Sequence, residues 1–212
     1  MPNPGTPILR SAYRPLAYTV DTVDLDFSLD AEATQVTNRM RCVRNLDAAA
    51  GPVVLFGDGL ELVSLTVDGV APAAGALRQT GTGFELDVDA DELVLEIVTR
   101  IDPSANLTLS GLYRSRGGFY TQCEAEGFRR ITYFPDRPDV MARYTVRLEA
   151  DAATCPVLLS NGNLLETGTL PGGRHFARWE DPFPKPAYLF ALVAADLKAL
   201  ERRVETASGR EV

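Results

Sequence analysis

Apolar and polar residues alternate along much of the chain, which is the pattern of a β-strand with one buried face. The clearest example is Val23 to Leu29, where Val, Leu and Phe alternate with Asp and Ser. We expect the apolar side of this strand to be buried and its acidic side to face water. The same period predicts strands at four further places: Val63 to Val67, Phe84 to Val88, Tyr144 to Leu148 and Arg174 to Trp179.

Two further strands are predicted from less regular patterns. Leu93 to Ile101 is apolar almost without interruption, which is typical of a central strand covered on both faces. Thr34 to Arg44 alternates less cleanly, and we expect it to lie nearer the edge of a sheet. The segment Leu197 to Thr206 fits a short helix and a strand equally well, so its structure stays open.

Turn residues separate these strands. Asp68-Gly69 predicts a tight hairpin turn, and Ser160-Asn161-Gly162 predicts another turn. Pro171 to Arg174 is expected at the tip of a further hairpin. Many short strands with turns between them, and no long amphipathic helix, predict an all-β fold built as an antiparallel β-sandwich with little helix.

Composition narrows the range of partners. Of the 212 residues, 45% are hydrophobic, and this apolar content excludes intrinsic disorder as the main description. The net charge is −8. A negative surface repels phosphate backbones, so we expect no nucleic-acid partner, whereas a ligand with one amine remains compatible. The longest apolar run, Ala187 to Ala195, is about half of a membrane span, so we expect no membrane partner.

Prolines near the amino end interrupt the apolar stretch that a signal peptide would need. The three cysteines, Cys42, Cys123 and Cys155, are an odd and sparse set, unlike a disulfide framework. Both observations favour a cytoplasmic protein.

The single histidine, His175, limits the chemistry that the chain can perform alone. A catalytic zinc site usually needs at least two histidines, and a Ser-His-Asp triad needs a histidine backed by a carboxylate. His175 directly follows the predicted hairpin tip, so we expect an ordinary strand residue near a turn. The sequence therefore predicts no catalytic residue and no metal ligand in this chain.

The stretch from Leu109 to Val140 departs from the plain strand pattern and contains the candidate binding residues. Gln122 and Glu124 stand two apart in an extended segment, so both are expected to project to one side, with Cys123 on the other. A carboxylate beside an amide suits a primary ammonium group, because each can accept one of its N–H donors. The structural alternative is a salt bridge between Glu124 and a nearby arginine: Arg129, Arg130 or Arg137.

Three long strings resemble the amino-terminal domain of the aminopeptidase N family, the bacterial alanyl aminopeptidases of the gluzincin class of zinc metallopeptidases. They are GLYRSRGGFYTQCEAEGFRRITYFPDRPDVMARYTV, LLSNGNLLETG and WEDPFPKPAYLFALVAADL. The similarity covers at least Gly111 to Val212, and YRPLAYTVDTVDLDFSLD fits less distinctively. The resemblance implies a saddle-like β-domain that precedes a thermolysin-like catalytic domain.

The zinc motif of that family, His-Glu-x-x-His with a downstream Glu, and its Gly-x-Met-Glu-Asn motif do not occur in the sequence. The resemblance therefore implies a fragment, with residues 1–205 as the amino-terminal β-domain and 206–212 as the start of the connection to an absent catalytic domain. Zinc is expected in the full-length hydrolase and not in this fragment, which we predict to be inactive alone.

The resemblance also assigns roles within the fragment. Glu124 matches the glutamate that helps anchor the free α-amine of the substrate, and Gln122 matches the glutamine that lines the first side-chain pocket. The implied partners are a peptide amino terminus and the downstream catalytic domain. A non-proline cis peptide at Glu124-Ala125 is a further expectation from the resemblance.

Several residues have plain structural interpretations. We expect Cys123 to be a small packed residue, Trp179 to lie in the core, and Asp136, Arg137 and Asp139 to form a turn with local ion pairs. Two other functions stay open. One is a stand-alone β-sandwich module that binds peptides or proteins, and the other is a glycosidase that uses Glu124 and Glu126.

Overall fold

The computed structural model describes residues 9–212, and its regular structure consists of strands joined by turns and short 3-10 helices. The strands are β1 Tyr18–Ser28, β2 Thr34–Arg44, β3 Val53–Phe56, β4 Glu61–Val67, β5 Leu77–Thr80, β6 Gly83–Leu86, β7 Glu92–Ile101, β8 Gly111–Ser115, β9 Gly118–Gln122, β10 Met141–Asp151, β11 Val157–Ser160, β12 Asn163–Leu170, β13 Arg174–Pro186 and β14 Leu192–Ala195. The 3-10 helices are Arg10–Ala12, Phe128–Arg130, Pro171–Gly173 and Ala187–Leu189. The predicted all-β class is confirmed.

The strands form three sheets. The largest has seven strands in the order β12-β13-β10-β1-β2-β7-β4, and the others have the orders β11-β14-β9-β8 and β3-β6-β5. Strand β1 runs parallel to β10, whereas the other named pairs are antiparallel. The expectation of an antiparallel fold therefore needs correction at this pair. Parallel neighbours need a long connection, and here the chain supplies it between Ser28 and Met141.

The alternation of β1 gives the burial that the sequence predicts. Val23, Leu25 and Phe27 are at most 2% exposed, while Asp24 lies exposed on the opposite face. The inner faces of the sheets join in one hydrophobic core that also includes residues of β3, β6, β9 and β14. We call the polar side of β1, β2 and β10 the outer face of the large sheet.

Two strand predictions are wrong, the covering of β7 on both faces and the position of β2, although β7 does lie inside the sheet, between β2 and β4. Strand β7 is not covered on both faces, because Leu95 and Ile97 are buried while Glu96 and Arg100 between and beyond them are exposed. Strand β2 is not near an edge, since it pairs with β1 on one side and with β7 on the other. Its irregular alternation comes from two polar residues on its buried face, Thr34 and Asn38, of which Asn38 donates a hydrogen bond to the carbonyl of Tyr133.

The predicted turns form, with one difference. Asp68 and Gly69 both have positive φ values, 50° and 80°, but this turn closes only the single bridge between Val67 and Val70. Strand β4 pairs instead with β7. Pro171–Gly173 connects β12 to β13, which confirms the hairpin.

Two further expectations find a different outcome. The segment Leu197 to Thr206 forms neither a helix nor a regular strand, apart from one bridge between Glu205 and Glu211. Trp179 is half-buried and packs against the core instead of lying within it. Within residues 9–212, no helix has the length and apolar character needed to cross a membrane.

The four-stranded sheet positions the candidate residues. Strand β9 lies between β14 and β8, and Gln122 at its end pairs with Gly111 at the start of β8. The Thr121 hydroxyl links β9 to β14, because it accepts a hydrogen bond from the backbone N–H of Leu192 at 2.8 Å. The end of β9 is therefore held on two sides, through Gln122 on β8 and through Thr121 on β14, just before the chain leaves the sheet.

Candidate functional site

Residues 123–127 form a turn between β9 and the 3-10 helix Phe128–Arg130, and we call this turn the Glu124 loop. Its ends are joined by a hydrogen bond of 2.8 Å from the backbone N–H of Gly127 to the carbonyl of Cys123. The Glu124-Ala125 peptide bond is cis, as the resemblance implies. The hydrogen bond between its two ends makes the loop a closed turn.

Gly127 allows this closure. A Cβ atom at this position would lie 2.3 Å from the carbonyl oxygen of Gln122 and 2.8 Å from the Cα of Cys123. Both atoms belong to the backbone, so no side-chain rotation could relieve the contact. The end of β9 and the start of the 3-10 helix can approach so closely only with glycine here.

An aromatic cluster holds the far end of the loop. Phe128 is 0% exposed, and its ring packs edge-on against Phe134 and Phe190 at centroid distances of 5.0 and 5.3 Å. The ring of Tyr144 contacts it in the same way at 6.2 Å. Burial of such a ring anchors the 3-10 helix in the core.

The two predicted site residues lie on the exposed side of the loop, and Cys123 lies on the buried side at 2% exposure. The exposure of Gln122, Cys123 and Glu124 therefore follows the predicted alternation. The Gln122 amide nitrogen donates a hydrogen bond of 3.3 Å to the backbone carbonyl of Glu124. This contact uses the nitrogen, so the amide oxygen of Gln122 remains an acceptor.

The alternative in which Glu124 pairs with a nearby arginine is contradicted. Arg129 pairs with Asp136 at 3.0 Å and with Glu126 at 3.3 Å. Arg130 pairs with Asp58, and Arg137 pairs with Asp139 at 2.7 Å. Within residues 9–212, the Glu124 carboxylate has no ion pair or hydrogen bond, and its side chain is exposed.

Asp136 lies beneath the loop and differs from its predicted role. The pair of Arg137 and Asp139 is local, as expected, but Asp136 is buried and pairs with Arg129. Burial raises the pKa of Asp136, although the hydrogen bonds from Arg129 act against this shift. The sequence could not identify this pair, because three arginines of equal charge stand close to the carboxylate in sequence.

The remaining candidate chemical groups are structural. Burial, with the charge of Asp136, raises the pKa of the Cys123 thiol, so the packed interpretation of this residue is confirmed. His175 is the second residue of β13, and its Nε2 lies 2.7 Å from the carbonyl oxygen of Cys155. Among the described residues, no group of three or more His, Cys, Asp or Glu side chains is placed to hold a metal ion.

Comparison with known proteins gives consistent matches. The sequence model described as the Peptidase M1 N-terminal domain matches residues 78–189. Aminopeptidase N of Caulobacter vibrioides is 52% identical over 200 residues, an alignment that covers 94% of this chain and 23% of the relative. Aminopeptidase N of Escherichia coli is 45% identical over 203 residues, with 96% and 23% covered.

Solved structures agree with these matches. Aminopeptidase A of Legionella pneumophila, solved in complex with aspartic acid, superposes with a TM-score of 0.88 at 35% identity, covering 95% of this chain and 24% of that one. An M1 zinc metallopeptidase of Deinococcus radiodurans, at 17% identity and a TM-score of 0.74, shares the fold. The chain spans about a quarter of the length of the curated relatives that it matches.

Proposed function

The chain belongs to the family of Peptidase M1 N-terminal domains, and on this premise we propose that it binds the amino terminus of a peptide in a zinc-dependent aminopeptidase. The proposed enzyme is a hydrolase that releases amino-terminal residues from peptides. In this proposal Glu124 binds the free α-amine, Gln122 lines the pocket for the first side chain, and a catalytic domain outside this chain completes the site.

The observation that carries the proposal is the free carboxylate of Glu124 on a loop that is otherwise tightly held. A primary ammonium group has three N–H donors, and a carboxylate and an amide oxygen are suitable acceptors for two of them. Hydrogen bonds between charged groups are also stronger than neutral ones. The Glu124 carboxylate and the Gln122 amide oxygen are therefore available to an external cation, because no contact within the described structure uses them.

This pairing would explain why an enzyme of this kind removes residues from the end of a peptide. An ammonium group enclosed between two domains must be paired with a negative charge. A peptide bound through its free amine has its first peptide bond at a fixed distance from Glu124. Such fixed placement contributes to the rate by orienting the reacting bond.

The residues of this chain do not fit a zinc site. Its single histidine has Nε2 against the Cys155 carbonyl, and the three thiols are each buried. We therefore propose that the zinc is held by a part of the enzyme outside this chain. The buried free thiols favour a reducing compartment, and we propose a cytoplasmic enzyme.

The glycosidase alternative is not favoured by the geometry. It needs two acids that both face the substrate, whereas Glu126 is paired with Arg129. A stand-alone binding module is not favoured either, because the matched relatives are several times longer and have names that describe aminopeptidases.

The full-length product of the gene tests the proposal. We expect zinc-dependent hydrolysis of L-alanine p-nitroanilide, with kcat/KM about 100-fold lower for Glu124→Gln, the loss expected for one charged hydrogen bond. The 212-residue chain alone should bind no zinc stoichiometrically and should show no turnover.

A matched control is Glu180→Gln, since Glu180 is an exposed glutamate of β13 opposite Thr145 and takes part in none of the loop contacts described above. This variant should keep its activity within about twofold, as surface substitutions usually do. An unchanged kcat/KM for Glu124→Gln, or an absence of zinc-dependent turnover in the full-length product, would contradict the proposed function.

A further inference from the structure

Arg129 joins the Glu124 loop to two other parts of the molecule. Its guanidinium lies 3.3 Å from the carboxylate of Glu126, two residues beyond Glu124. The same group donates hydrogen bonds to the Asp136 carboxylate at 3.0 Å and to the Asp136 backbone carbonyl at 2.8 Å. It also lies over the ring of Phe56, 4.7 Å from the centroid.

Asp136 is itself a fixed point. Its carboxylate accepts a second hydrogen bond of 3.1 Å from the backbone N–H of Arg129, and its own N–H donates to the carbonyl of Phe134 at 2.8 Å. Phe134 in turn forms a bridge with Phe56 at the end of β3. The guanidinium of Arg129 therefore ties the loop to a neighbouring segment that is anchored on the three-stranded sheet.

The chemistry of arginine suits this position. Its planar guanidinium presents five donors, so it can serve two carboxylates in different directions and still stack on an aromatic ring. Asp136 has only 2% of its side chain exposed and depends on a charged partner. Burial raises the pKa of Asp136, and the hydrogen bonds and charge of Arg129 oppose this shift, so Arg129 favours the ionised carboxylate.

From these contacts we infer that Arg129 is a positioning residue for Glu124. Its guanidinium, held by Asp136 and Phe56, restrains Glu126 and so fixes the turn from which the Glu124 carboxylate projects. Arg129 has no contact with substrate in this inference and acts only through the loop. The inference rests on the proposed role of Glu124 in binding the substrate amine.

Kinetics of the full-length gene product test the inference through a double-mutant cycle. We expect Arg129→Met to raise KM for L-alanine p-nitroanilide about tenfold, because the carboxylate loses its fixed place. In a Glu124→Gln background, the same substitution should change KM by less than about twofold, since residues that act as one unit are not additive. Glu126→Gln should reproduce part of the increase in KM.

The matched control is Arg130→Met, the same substitution at the next residue of the same 3-10 helix. The Arg130 side chain pairs with Asp58 and not with the loop or Asp136, and its backbone hydrogen bond to the Gly127 carbonyl is kept in the variant, so KM should stay within about twofold of the parent value. An equal rise in KM for Arg130→Met would show a general disturbance of the helix and would overturn the inference.

Removal of Arg129 alone leaves a buried carboxylate unpaired and could prevent folding. The double variant Arg129→Met with Asp136→Asn removes both charges and so leaves no unpaired carboxylate. Its KM is measured in the parent background and in the Glu124→Gln background, as for Arg129→Met. A rise in KM that persists in the Glu124→Gln background, or no rise in either variant, overturns the positioning role. Failure of the proposed function is a distinct result, because it would appear as an unchanged kcat/KM in the single variant Glu124→Gln.

Discussion

The outer face of the large sheet and the Glu124 loop both combine carboxylates with arginines, but the two regions use them differently. On the outer face, Arg147 pairs with Asp26 and Glu149 at 3.2 Å, and Arg174 pairs with Glu149 at 2.7 Å. In the loop, the nearby arginines are also paired, yet Glu124 is left without one.

This difference separates stability from function. A carboxylate that is paired within the fold contributes to the folded state, and its charge is no longer free for a ligand. A carboxylate that stays unpaired on a restrained loop contributes little to folding and leaves its charge available to a ligand, as the proposed role of Glu124 requires. The arginines next to Glu124 in sequence are directed to other acids, so none of them neutralises it.

The comparison requires the Glu124 loop to be as rigid as the sheet. The substitution Gly127→Ala tests this requirement, and we expect it to have the largest effect on stability. The added Cβ would meet backbone atoms of Gln122 and Cys123, so we expect a loss of about 1–3 kcal/mol in the free energy of unfolding, as for overpacked sites. Urea denaturation of the chain measures the loss.

Gly81→Ala is the matched control, because a Cβ at Gly81 has nothing within 4 Å and its φ is not in the left-handed region. This variant should unfold within about 0.5 kcal/mol of the parent chain. Equal stabilities for the two alanine variants would mean that the loop yields easily, and the comparison with the sheet would fail.

The same contrast explains how much could be predicted from the sequence. Period-two alternation is a local property, so it located β1 and it placed Gln122 and Glu124 on the opposite side of the chain from Cys123. The pairing of β1 with β10 joins distant parts of the chain, and no local pattern indicates it. Strand order and parallel direction therefore had to come from the structure.

The candidate site was predictable only in part for a similar reason. Alternation and the chemistry of carboxylate and amide groups led to Gln122 and Glu124, and the resemblance gave them a role. The choice of partners among Arg129, Arg130 and Arg137 depends on how the chain folds after the loop. Asp58, which pairs with Arg130, lies on a distant segment, and Asp136, which pairs with Arg129, has three arginines near it in sequence, so neither could be ranked as a partner from sequence.

Glu149 tests the paired side of the comparison. Burial alone would raise the pKa of Glu149, but hydrogen bonds from Arg174 and Arg147 outweigh it and hold this pKa below its ordinary value of 4.5. A lowered pKa means that the ionised group stabilises the fold above the unfolded-state pKa, and that this contribution is lost as the pH falls through the folded-state pKa.

We therefore expect Glu149→Gln to lower the free energy of unfolding by about 1 kcal/mol at neutral pH, the upper range for a partly exposed pair. The difference from the parent chain should begin to shrink as the pH falls below about 4.5, where the unfolded chain takes up the proton, and should be lost as the pH falls through the lower pKa of the folded state. Urea denaturation between pH 3 and pH 7 measures this dependence. A Glu149→Gln difference that is constant with pH would contradict the assignment.

We expect Glu124→Gln to have the smallest effect on folding, and this variant gives the most direct comparison of the unpaired Glu124 with the paired Glu149. The side chain is exposed and unpaired in the described structure, and Gln122 contacts the backbone carbonyl of Glu124, which the substitution keeps. The free energy of unfolding should therefore change by less than about 0.5 kcal/mol, as at other surface positions. A loss above 1 kcal/mol, measured beside Glu180→Gln, would show that the fold uses this charge. If folding is unchanged while turnover of the full-length enzyme falls, the charge of Glu124 serves a partner outside the chain, whereas that of Glu149 serves the sheet.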